Sequence, residues 1–187
     1  NRILREAGLL KVRQQDDGEH LDLAGSDAWA MVDHQFAHVF VKNAEPNVID
    51  RVKALFQTET GIDQVLALEE RHQLHMNHAR SGEIILVSTP NSWQAYYWWL
   101  DDNLAPSFAR TVDIHQKPGY DPVELHFDPE TRSIPLDASR VLGSHGAPVV
   151  SSEQQGIVLS SCPQWLTRDL IKETDVFELV VESFRQS

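Results

Sequence analysis

A single cysteine, Cys162, stands in the 187 residues, so no intramolecular disulfide can form and the fold does not depend on an oxidising compartment. A buried, inert thiol is the expected state. Long apolar runs are also missing. The stretch at residues 84–87 is typical of the longest, far short of the ~20 residues that span a bilayer. No signal peptide is visible; because the first residue is Asn1 and not Met, an upstream segment stays open, and the cytoplasm is the default compartment. Basic blocks are absent as well. Lys and Arg number 16 against 28 Asp and Glu, a formal charge of -12, which argues against nucleic acid and anionic membrane as partners. Small phosphate esters stay possible where a divalent metal supplies local positive charge. There is no phosphate-cradling glycine loop, HExxH, paired CxxC or GxSxG, so a self-contained catalytic machine is not written in this chain.

What is present is ordinary globular composition, 41% apolar and 24% charged, without repeats or a low-complexity linker. One mixed α and β domain over residues 1–187 is expected. Ile3, Leu4, Ala7 and Leu10 share a helical face that can end at Gly8. Asp17-Gly18 centres a hairpin turn between residues 10–12 and 21–23. Two short strands joined near His34-Gln35 fit residues 28–41, and Val48, Val52, Leu55 and Phe56 mark an amphipathic helix that starts after Pro46 and stops before Gly61. Residues 64–68 and 83–88 read as strands separated by a polar, His-rich turn. The order β-α-β-β implies a mixed sheet. A Trp/Tyr block at Trp93, Tyr96, Tyr97, Trp98 and Trp99 reads as core or interface, and the prolines from Pro106 to Pro135 predict a loop-rich excursion. Residues 157–160 suit a short strand. A terminal helix over 174–184 takes Thr174 as N-cap and buries Val176, Phe177, Val180, Val181 and Phe184.

Three groups of residues invite a chemical reading. In Gly143-Ser144-His145-Gly146 a histidine sits between glycines that leave room for a metal or phosphate, and neutral imidazole is a common zinc ligand, although nine histidines make a chance match easy. His72, His75 and His78, or His34 and His38, could converge on a metal if helical; neither set reads as helix, so solvated or structurally bonded histidines are the expectation. The run around Pro118-Gly119 contains Asp113, His115, Lys117, Tyr120 and Asp121, either a substrate-facing loop or a set of side chains bonded to one another.

Several phrases carry a resemblance. Residues 1–10, with Asn1 and the Gly8-Leu9-Leu10 ending, residues 26–41, residues 93–125 with VDIHQKPGYDPVEL at their end, and Gly143–Gly146 resemble the type I phosphodiesterase / nucleotide pyrophosphatase family of the alkaline-phosphatase superfamily. The resemblance implies part of an alkaline-phosphatase-like fold and hydrolysis of phosphate esters at a two-metal centre, usually zinc. It implies that His145 is a metal ligand, while the nucleophile and the other donors lie in a preceding catalytic half that would be this segment's partner. One imidazole cannot hold zinc tightly, so no metal is expected on this chain alone, and no activity. Exposed apolar surface would then favour self-association. The alternative is a non-catalytic interaction or scaffold module derived from that family.

Overall fold

A computed structural model describes residues 1–111 and 127–185, and their backbone groups into two units, Asn1–Ala147 and Pro148–Ser187. The proposed loop residues Asp113, His115, Lys117, Tyr120 and Asp121 lie outside the described residues. The first unit holds α1 (Arg2–Glu6), the hairpin β1 (Val12–Gln15) and β2 (Gly18–Leu21), then β3 (Ala28–Asp33), β4 (Phe36–Val41), α2 (Pro46–Gln57), β5 (Ile62–Ala67) and β6 (Ile84–Ser88). The class is mixed α and β.

The four-stranded sheet has the order β3-β4-β6-β5. Every neighbouring pair among these strands is antiparallel, where a mixed sheet is expected from the sequence. The reason is the position of β6: it inserts between β4 and β5, so the two strands joined through α2 run in the same direction without touching. Flanked on both sides, β6 is buried at all five positions, which is why it reads as an unbroken apolar run. Its side chains alternate between two cores. Ile84 and Leu86 join the main cluster with α1, α2, Trp98 and Trp99, and Ile85 and Val87 meet Leu66 under Leu74 and Met76.

In α2, Pro46 opens the helix where its missing N–H costs nothing, and Ile49, Val52 and Phe56 turn inward at helical spacing. The β1–β2 turn falls on Asp16-Asp17, one residue earlier than the sequence suggests, because Gly18 pairs with Gln15 as the first residue of β2. Gly18 has φ +127, and a Cβ there would come within 2.7 Å of the Ala105 carbonyl oxygen. The glycine serves a tertiary contact, not the turn. Beside it, Glu19 receives two hydrogen bonds from the Arg5 guanidinium, that from Nη2 at 2.8 Å, and its carbonyl accepts the Trp98 indole N–H. Trp99 is fully buried and donates its indole N–H to Asp102.

The second unit contains short 3-10 turns and α3 (Val176–Arg185). Residues 157–160 form no strand. The helix is entered through the turn Glu173–Asp175, with the Asp175 carboxylate accepting from the Lys172 N–H, so Thr174 is not the N-cap. Val176, Phe177, Val180 and Phe184 are exposed, against the expectation that they are buried, and Cys162 is only half-buried. No described residue after Ala147 is buried. The apolar stripe is real; nothing within this unit is large enough to cover it. No helix among the described residues is long and apolar enough to cross a membrane.

Candidate metal centre

The β3–β4 hairpin closes through two residues, His34 and Gln35, between Asp33 and Phe36. His34 has φ +56, the left-handed conformation that a tight two-residue hairpin loop demands and that histidine enters more readily than most residues. Both turn residues are fastened by backbone. The His34 carbonyl accepts from the Gln94 N–H at 2.7 Å, and the Gln35 carbonyl accepts from the Ser88 N–H at 2.8 Å. The Gln35 side-chain amide donates to the Ser92 carbonyl at 3.2 Å.

The glycine-flanked segment lies against this turn. The Gln35 N–H donates to the His145 carbonyl at 2.9 Å. Gly146 has φ +107, and a Cβ on it would stand 2.9 Å from the Phe36 ring, so glycine alone permits both the backbone angle and the approach. A Cβ on Gly143 would meet nothing within 4 Å among the described residues, so this glycine has no such role there. The rings of His34 and His145 lie 4.4 Å apart, and one ligand-capable atom from each of Asp33, His34 and His145 falls within 4.8 Å of the others. Asp33 and His145 are exposed and His34 is half-buried. Nδ1 of His34 is buried without a hydrogen-bond partner among the described residues, an unusual state for a ring nitrogen in a folded protein.

Two imidazoles and a carboxylate are a donor set that zinc accepts. The residues therefore fit a divalent metal. His145, the donor singled out by sequence, is brought together with Asp33 and His34, which the sequence reading did not select. It paired His34 with His38, but His38 is held on β4, where its Nδ1 accepts the Gly82 N–H. His72 sits in the 3-10 turn Leu68–Leu74 and contacts Glu69 at 3.0 Å; His75 adopts φ +56 just after that turn; His78 accepts from the Arg80 N–H. Among the described residues no three-donor group includes any of these three.

A cavity of about 440 Å³ adjoins the cluster, lined by Asp33, His34, Trp93, Tyr96, Tyr97 and Asp137, among others. Burial pushes the Tyr96 phenol up to about 12, and burial followed by the nearby Asp102 raises Tyr97, so both remain neutral donors. A hydrogen bond from the Ser139 hydroxyl is the main cause that holds Asp137 below the usual carboxylate range. With two carboxylates on its wall, the cavity repels an anion unless a cation intervenes. No family model, curated protein or solved structure matches this chain.

Proposed function

We propose that the chain is the C-terminal segment of a metal-dependent phosphodiesterase or nucleotide pyrophosphatase, in which His145 serves as a metal donor and the aromatic cavity forms part of the substrate-facing wall. The observation that carries the reading is the placement of His145: it is exposed, not packed into the interior, and lies next to two further donors, Asp33 and His34, that line the cavity. The family phrases at residues 1–10, 26–41 and 143–146 support it. When bound, a divalent metal at such a site supplies a Lewis acid for the leaving-group oxygen and activates water. This chain's part is to hold the donor imidazole through the Gln35–His145 backbone bond and to present neutral tyrosine hydroxyls to the ester. The nucleophile and the remaining donors belong to polypeptide preceding Asn1.

The test is to join the chain to its upstream coding region and assay a nitrophenyl phosphodiester with and without chelator. Chelator-sensitive turnover that falls by roughly 100-fold or more in His145→Ala is expected, as for loss of a group acting on the transition state. An inactive joined protein, or turnover indifferent to chelator, ends the proposal.

A further inference from the structure

We infer that Asp33, His34 and His145 form a site for a transition-metal dication within this chain itself, independent of any upstream polypeptide. A glycine-flanked imidazole offers one donor by sequence; the hairpin turn delivers two more to the same place. Zinc bonds of about 2.0–2.1 Å put tetrahedral donors roughly 3.4 Å apart, so a set spread over as much as 4.8 Å needs to draw in by up to about 1.4 Å. The side chains of Asp33 and His145 can make that movement by rotation, because both are exposed. The backbone beneath them stays fixed. Asp33 ends a paired strand, the His34 carbonyl is bonded to Gln94, and the His145 carbonyl is bonded to Gln35.

The independent sign is the buried Nδ1 of His34, which lacks a hydrogen-bond partner among the described residues. Leaving such an atom unsatisfied destabilises the fold, and it belongs to the ring that also brings a donor atom within 4.8 Å of Asp33 and His145. Two imidazoles and one carboxylate leave a tetrahedral metal one open position, and Asp33 and His34 also line the cavity. Nitrogen donors favour zinc, cobalt or nickel over magnesium and calcium, which prefer oxygen. The inference does not rest on the phosphodiesterase reading.

The experiment uses the untagged 187-residue chain, stripped with chelator. Cobalt(II) is followed by visible absorption, and zinc(II) by calorimetry and by the shift in melting temperature. Saturation at one equivalent with tetrahedral cobalt bands is expected. His145→Ala and His34→Asn, the latter chosen because asparagine tolerates the left-handed turn, should each weaken binding at least tenfold. His72→Ala should leave it unchanged. Absence of saturable binding, or full binding by both His145→Ala and His34→Asn, overturns the inference. Because the readout is metal binding, an inactive joined enzyme would sink the hydrolase proposal alone, and failure to bind metal here would leave His145 free to act in a centre completed from upstream.

Discussion

Residues 1–147 and 148–187 are written in similar alphabets, yet only the first set makes a core. In the first, strands and helices place Leu4, Val39, Val52, Ile84 and Trp99 out of contact with water. In the second, α3 has an equally clear apolar stripe, and Phe177 and Phe184 remain 68% and 79% exposed. Periodicity predicts that a helix forms; it does not predict what the helix leans on. Burial is a property of the neighbours, and residues 148–185 supply too few.

The sharpest way to break the contrast is Trp99→Ala. Removal of a fully buried indole, with its hydrogen bond to Asp102, should cost about 3–5 kcal/mol in denaturant unfolding of the chain. A loss under 1 kcal/mol would mean that the first region is no better packed than the second. Next comes Glu19→Ala, which strands the Arg5 guanidinium in a nearly closed site. Since Arg5 keeps some exposure, a cost of roughly 2–3 kcal/mol is expected, below that of a fully buried pair. In the second region the double change Phe177→Ser and Phe184→Ser should alter stability by no more than about 0.5 kcal/mol per site. A larger loss would show that the stripe is covered in solution, which sedimentation or light scattering of the parent chain would reveal as self-association.

The smallest effect is linked to pH. All nine histidines lie before residue 148, so histidine-linked changes report on the first region alone. Burial, and then the charge of Arg71, hold His38 below its ordinary value of 6.5. The folded state therefore resists protonation there, and the Gly82 N–H needs the neutral ring as acceptor. Stability from this residue is complete above the unfolded value and is lost as pH falls through the window below 6.5. An NMR titration should place the His38 midpoint under that of a model peptide. A midpoint at or above it contradicts the assignment.

Much of this architecture was legible from pattern. Pro46 and the spacing of Val52 and Phe56 announced α2, and the aliphatic run at residues 83–88 announced a strand, β6. Strand order was not legible, because the insertion of β6 between β4 and β5 leaves no local mark. The shifted β1–β2 turn has the same origin: Gly18 answers to Ala105, a residue far along the chain. For the candidate centre, His145 was found through its glycines, one of which the contact with Phe36 explains. Asp33 escaped notice, and His34 was weighed only with His38, because an ordinary hairpin turn, not a motif, brings them to it.

The place of β6 also constrains the order of events during synthesis. The β3–β4 hairpin can close early, but the flank of β4 that β6 will occupy stays open until residue 88 has left the ribosome and the chain has looped back past β5. An unpaired edge is a template for other chains, so this interval is when the nascent protein is most exposed to mispairing.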